Sequence, residues 1–436
     1  MDGLTASVVT VGLIVLFLGM GTWIFVGLML VGVTSLFLIL DFPIDRIGFI
    51  LKGIMWKTAS TWELAAIPIF ILMGEIIYRT DMSDRVFRGL APFVNWLPGR
   101  LLHTNIVGCT LFAAMSGSST ATTATIGRIT TKALAERNYN EALTIGSLAG
   151  AGSLGLLIPP SIVMIIYGVL AEVSIVRLFA AGILPGLMVA GLYSAYIILS
   201  CSADPEKSPQ AIDRFTWKDR FWAALDLFPV FLLIVVVLGG IYTGFATPSE
   251  AAALGFAASL LLALVTRQLT VNILIESLMS ALNISCMAIT IVVSASFLST
   301  AMGFIHVPQM LASEIASLGL SPYGLIFVLS MFYILLGLFL DGISIVVMSL
   351  PITLPIAMLA GWDPIWFGVF LVIMVELGQI TPPIGFNLFV LQGITNKPIG
   401  KIALYALPFF LLMCLAVVIL TLFPEIALWL PKWLLD

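Results

Sequence analysis

Apolar residues run in long blocks along this chain, separated by short polar stretches. Residues 8–40 exceed the about 20 that one helix needs to cross hydrocarbon. Gly19, Met20 and Gly21 mark a turn inside that block, which predicts two short spans or one strongly tilted one. Residues 41–63 instead interleave Asp45, Arg46, Lys52 and Lys57 with Phe42, Ile47, Phe49, Ile50, Leu51, Ile54, Met55 and Trp56. That pattern predicts an amphipathic helix lying along a membrane interface. Further spans are expected over residues 65–78, 179–200, 228–242, 251–265, 323–340 and 404–423. Residues 271–276 read as the start of a second amphipathic piece, and residues 285–302 as a separate apolar block. Residues 81–88 and 306–314 read as polar connections. Trp429, Lys432 and Trp433 form an interfacial anchor at the end of the chain.

Two apolar runs carry consecutive prolines: Pro159-Pro160 within residues 155–168, and Pro382-Pro383 within residues 378–393. A proline inside a helix removes a hydrogen bond and costs ~3 kcal/mol in an ordinary interior. In lipid no water satisfies the freed carbonyls, so such breaks persist where the unwound backbone lines a cavity or binds something. The breaks also recur in register. Ser116-Gly117 precedes the first proline pair by about forty residues, and Asp341-Gly342 precedes the second by a similar distance. A shift of about 225 residues aligns these features and the polar stretches at 81–88 and 306–314. The chain therefore reads as two repeats, residues 1–200 and 221–436, joined by the polar linker 201–220. Paired interruptions at matching places in two halves point to a transporter's binding site.

Composition narrows the class. The chain has 436 residues, 61% hydrophobic and 10% charged, with a mean hydropathy of +1.15. A soluble domain lacks the interior to bury that much apolar surface, so the chain is expected to be an all-α, multi-pass membrane protein. A net charge of −4 without a basic tail excludes nucleic acid as a partner. The linker's Lys207, Arg214, Lys218 and Arg220 suggest that it faces the cytoplasm. Cys109, Cys201, Cys286 and Cys414 are scattered, which predicts small buried side chains rather than a metal site. The N-terminus lacks a basic region and a small-residue cleavage site, so the first apolar run is expected to be retained. Enzymatic readings find little support: HExxH and P-loop motifs are absent, residues 337–341 (GLFLD) miss a GxGD element, and residues 114–117 (AMSG) miss GxSG.

The candidate chemistry is oxygen-rich. Eight of the ten residues 116–125 are hydroxyl-bearing or glycine. Such residues also let membrane helices pack closely, yet here they sit upstream of a break, where a hairpin tip would offer hydroxyls and carbonyls to a hard cation. Backbone groups of Gly155, Ile158 and Pro160, with the Ser161 hydroxyl, supply the first break. Thr381 and Asn387 supply side-chain oxygens at the second. Asp341, deep among apolar residues, reads as a group beside a cation, with a helix N-cap as the structural alternative. Glu376 could serve similarly. Thr247 and Glu250 read as a capping box, Arg128 as a snorkelling interface residue or one that meets an anion, and His103 and His306 receive no role.

Seven stretches together resemble the large membrane subunit of a tripartite ATP-independent periplasmic (TRAP) transporter: residues 68–77 (PIFILMGEII), 116–127 (SGSSTATTATIG), 152–168 (GSLGLLIPPSIVMIIYG), 177–187 (RLFAAGILPGL), 246–255 (ATPSEAAALG), 339–356 (FLDGISIVVMSLPITLPI) and 379–394 (QITPPIGFNLFVLQGI). The resemblance covers essentially the whole chain. It implies an inverted-repeat elevator fold with two re-entrant hairpins and interfacial arm helices, in the bacterial or archaeal inner membrane. It implies sodium-coupled uptake of a small organic acid. Its implied partners are a small four-helix membrane subunit, expected as a separate polypeptide, a periplasmic binding protein and membrane lipid; no organic cofactor is implied. Family sodium sites fall on Ser116, Ser119, Gly155, Ile158 and Pro160 for one ion and on Gly342, Thr381, Ile384 and Asn387 for another, with Asp341 beside them. Ser118, Thr120, Ser161 and Pro383 are the substrate candidates. A stand-alone sodium/organic-anion symporter, needing no binding protein, is the alternative.

Overall fold

The computed structural model describes residues 3–209, 215–317 and 319–435, and they form helices throughout. Helix α1 (Gly3–Gly19) meets α2 (Ile24–Leu40) through Gly21, whose φ of +73° glycine adopts at no steric cost. Residues 8–40 thus form two short helices. α3 (Ile44–Ala59) is amphipathic, with Phe49 and Trp56 exposed and Ile47 buried. α4 (Ala66–Tyr78) has 13 residues, about 20 Å of helix. That is too short for hydrocarbon about 30 Å thick, so the span expected over 65–78 does not exist alone. Together, α3 and the segment Trp62–Tyr78 qualify as one span bent by 55°.

The polar stretch at 81–88 forms the start of a helix rather than a connection: α5 (Met82–Val94) buries Met82, Val86, Leu90 and Val94 at four-residue spacing. Next come α6 (Leu102–Ser116), α7 (Ser119–Ala135), α8 (Glu141–Gly152), α9 (Ile162–Leu170) and α10 (Ile175–Ala203). Gly117, at φ +58°, and Ser118 alone separate α6 from α7. The linker adds a single turn at Pro205–Lys207; Asp213 and Arg214 lie outside the described residues.

The second half begins with α11 (Trp217–Tyr242) and α12 (Pro248–Val265), the latter capped by Thr247 and Glu250 as expected. α13 (Val271–Ile305) is one unbroken helix of 35 residues, not an amphipathic piece followed by a separate block. Its counterpart α3–α4 is split because Pro68 has no N–H for the helical bond four residues back, and because the Ser60 and Thr61 hydroxyls bond the Trp56 and Lys57 carbonyls. α14 (Val307–Ser317) replaces the expected polar connection at 306–314. α15 (Pro322–Gly337), α16 (Gly342–Leu359), α17 (Pro364–Gln379), α18 (Phe386–Thr395), α19 (Ile399–Leu422) and α20 (Glu425–Leu435) complete the chain. On α20, Trp429 and Trp433 are exposed and their rings stack.

Among the described residues, α10, α11, α12, α13, α16 and α19 are each long and apolar enough to cross a membrane. Their outer faces carry large exposed hydrophobics such as Phe221, Phe228, Leu261, Leu282 and Leu411, a surface suited to lipid rather than water. Cys109 and Cys201 are buried, but Cys286 lies on this exposed surface of α13, so the expectation of burial does not extend to it.

Packing pairs recur with the halves exchanged. α2 packs on α13, and α12 on α4. α5 packs on α11, and α14 on α1. α7 packs on α18, and α16 on α9. α8 packs on α19, and α17 on α10. Each half therefore completes its core with helices of the other.

A close glycine crossing joins α15 to α17. A Cβ added to Gly378 would lie 2.8 Å from the Gly337 Cα, a backbone atom that no rotamer change can move. Gly378→Val should lower the thermal midpoint of the detergent-purified protein, with an overpacking cost of about 1–3 kcal/mol. Gly191→Ala, where nothing lies within 4 Å, should not lower it, since alanine favours a helix over glycine. Equal midpoints would contradict the crossing.

Candidate functional site

The α6–α7 tip and the first break assemble into one buried cradle. A Cβ on Gly155 would lie 2.5 Å from the Ser119 Cα, and one on Gly117 would lie 2.8 Å from the Pro160 carbonyl oxygen. Only glycine permits both approaches. Ser116 and Ser119 are buried; the Ser116 hydroxyl lies 2.9 Å from that of Thr122. Ser118, half-buried, caps α7 by accepting from the Ala121 N–H, and its hydroxyl lies 3.2 Å from that of Thr120. The structure thus brings Ser116, Ser118, Ser119, Thr120, Gly155 and Pro160 together. The Ile158 side chain turns toward α10 and packs against Gly186. Ser161 is fully buried and caps α9 by accepting from the Met164 N–H.

The second break is more open. Residues 151–168 are buried throughout, whereas Pro382 and Pro383 are exposed and Thr381 and Ile384 are half-buried. A Cβ on Gly385 would lie 2.8 Å from the Gln379 carbonyl oxygen and 3.0 Å from that of Thr381. Two carbonyls therefore converge on this glycine, and that of Thr381 accepts from the Gly385 N–H at 3.0 Å. The Thr381 hydroxyl donates to the Leu377 carbonyl at 2.5 Å and keeps lone pairs to offer. Asn387 is fully buried, and neither of its side-chain polar atoms has a partner among the described residues. Both proline pairs are joined by cis peptide bonds.

Asp341 is the N-cap of α16. Its Oδ2 accepts from the Ile343 N–H at 3.2 Å and the Ser344 N–H at 3.5 Å, and its Oδ1 accepts from the Ser344 hydroxyl. Gly342 lies against Val375 and the Gln379 side chain. Gln379 is what joins the α16 start to the second break, and sequence reasoning did not single it out.

Glu376 on α17 connects the two cradles. It is fully buried, and its Oε1 accepts from the Ser119 hydroxyl and, at 2.7 Å, from the Leu156 N–H. Glu376 Oε2 and Gln379 Oε1 have no partner among the described residues. An unpartnered buried polar atom costs about 1–3 kcal/mol. The unmet groups here are largely oxygens, the donor type that hard cations take.

A cavity of about 1160 Å³ opens between α7, α8 and α18. Ala124 and Val390 in its wall lie one turn from Thr120 and Asn387, so it runs up toward both cradles. Arg128, Lys132 and Lys397 line it with Glu141, which pairs with Lys397 at 3.1 Å and with Lys401 at 3.2 Å. The wall carries more positive than negative side chains, an environment that draws anions.

Comparison with known proteins agrees with this architecture. The family described as "Tripartite ATP-independent periplasmic transporter, DctM component" matches residues 11–426. Over 381 residues the chain is 34% identical to the C4-dicarboxylate TRAP transporter large permease protein DctM of Pseudomonas aeruginosa, covering 87% of this chain and 88% of that one. It is 28% identical over 374 residues to the sialic acid TRAP transporter large permease protein SiaM of Vibrio cholerae, covering 86% and 87%. Its fold is similar to the crystal structure of the Alcanivorax borkumensis YdaH transporter, with a TM-score of 0.60 at 15% identity over 90% of this chain and 91% of that one. The chain therefore belongs to the family of large membrane components of tripartite ATP-independent periplasmic transporters.

Proposed function

We propose that this chain is the sodium-coupled permease for a small organic acid, taking it up across the inner membrane. The observation that carries the reading is the pair of proline breaks, each set beside an N-cap residue that opens a helix, with unpartnered buried oxygens between them. Sodium is the coupling ion at both cradles: Ser116, Ser119, Gly155, Ile158 and Pro160 at the first, and Gly342, Thr381, Ile384 and Asn387 at the second. The convergent carbonyls around Gly385 and the free Asn387 oxygen fit such an ion. The organic acid sits beside Ser118, Thr120 and Pro383, which are the partly or fully exposed positions next to the cradles.

The reciprocal packing of the halves supports two inverted repeats, residues 1–200 and 221–436, about the linker 201–220. Movement is of the elevator type. The helices α6–α10 and α15–α20 carry the sites, and α1–α5 with α11–α14 form the frame they slide against. The basic cavity below the cradles supports an anionic cargo. The relatives' names differ in substrate, C4-dicarboxylate for one and sialic acid for another. A separate periplasmic binding protein therefore selects the acid, and a small four-helix membrane subunit completes the frame.

Proteoliposomes holding this chain and its small subunit test the reading. A labelled organic acid should accumulate only with an inward sodium gradient and added binding protein. Uptake without the binding protein would favour a stand-alone symporter, and uptake without sodium would remove the coupling.

Asp341→Asn separates charge from fold. Asparagine caps a helix about as well as aspartate, so insertion and thermal midpoint should hold, while the sodium concentration for half-maximal uptake should rise several-fold. Unchanged sodium dependence would reduce Asp341 to a cap.

A further inference from the structure

The first cradle lacks a charge of its own. Ser116, Ser119, Gly155, Ile158 and Pro160 offer only neutral oxygens. Where the second half has Asp341, the first half, about 225 residues earlier, has Ser116. A carboxylate nevertheless reaches the first cradle, from the opposite half: Glu376 Oε1 holds the Ser119 hydroxyl and the Leu156 amide, 257 and 220 residues away in sequence.

We propose that Glu376 is the positioning residue and counter-charge of the first cation site. Two donors meet at one oxygen, which makes Oε1 purely an acceptor. Its other oxygen, Oε2, has no hydrogen-bond partner among the described residues. Glu376 is fully buried and takes part in no ion pair among the described residues. Ionised in such a place, the carboxylate needs a cation beside it, and the cradle next to it is where one would sit. The inference rests on the sodium-coupled reading and deepens it. Because α17 runs from Glu376 into the second break, an ion at the first cradle also fixes the approach to the second.

The test uses the complete transporter with its small subunit. Two quantities are measured in sodium and in choline: the thermal midpoint, and the sodium concentration for half-maximal uptake. Glu376→Gln keeps the shape and an oxygen to accept from Ser119 and Leu156, but removes the charge. It should be at least as stable as the wild type in choline, lose most of the sodium-induced rise in midpoint, and need at least about tenfold more sodium for uptake, as expected when one partner of a buried charge pair is removed. A wild-type sodium response in Glu376→Gln would overturn the proposal and leave the side chain a hydrogen-bond acceptor. If Glu376→Gln is unstable even in choline, Glu376→Asp decides. A retained sodium response there supports the charge, and loss of response in both variants shows that side-chain geometry alone matters and overturns it. A wild-type protein without any sodium response would defeat the coupling reading itself, a result distinct from failure of the Glu376 role.

Discussion

The structure depends on one constraint: inside an apolar surround, each backbone carbonyl released from a helix must find another partner. This chain releases such groups twice, at Pro159-Pro160 and Pro382-Pro383, and encloses each break differently. At the first, glycines at 117 and 155 let the α6–α7 tip press against the unwound backbone, and the whole segment is buried. At the second, carbonyls of Gln379 and Thr381 gather around Gly385 while the prolines stay exposed. Two sites of similar design thus differ in access.

The halves are not independent bodies. α4 rests on α12 and α2 on α13, α7 on α18 and α16 on α9. A single buried carboxylate crosses the boundary at the centre, where Glu376 takes donors from Ser119 and Leu156. Such mutual support ties the two halves into one packed body. It also gives the cradles a physical route of communication, through a short length of α17.

Much of this was legible in the sequence because proline and glycine act locally. The two proline pairs, the turn at Gly21 and the tip at Gly117 follow from covalent geometry and needed no tertiary information. The capping box of Thr247 and Glu250 was equally local. What escaped was tertiary or masked by charge. Met82, Val86, Leu90 and Val94 form a helical stripe, but Asp81, Asp84, Arg85 and Arg88 made the stretch read as a connection. The continuity of α13 was hidden because its first turns are exposed and its later ones buried. Asp341 reads as a group beside a cation, with a cap as the structural alternative, and its carboxylate does cap α16. Glu376 is one acidic residue in an apolar run; nothing in its neighbourhood announces Ser119 and Leu156 as partners. Gln379 gave no sequence signal beyond its place at the edge of the break.

The central claim is that the two broken helices are cation sites. The most direct measurement is a high-resolution structure of the complete transporter in sodium and, separately, in choline. The account predicts ion density in sodium enclosed by the α6–α7 tip, Gly155 and Pro160, next to the free oxygen of Glu376, and a second density by Asn387 and the Thr381 carbonyl. Both should be absent in choline. Cradles that look the same in the two salts, with no ion in either, would contradict it.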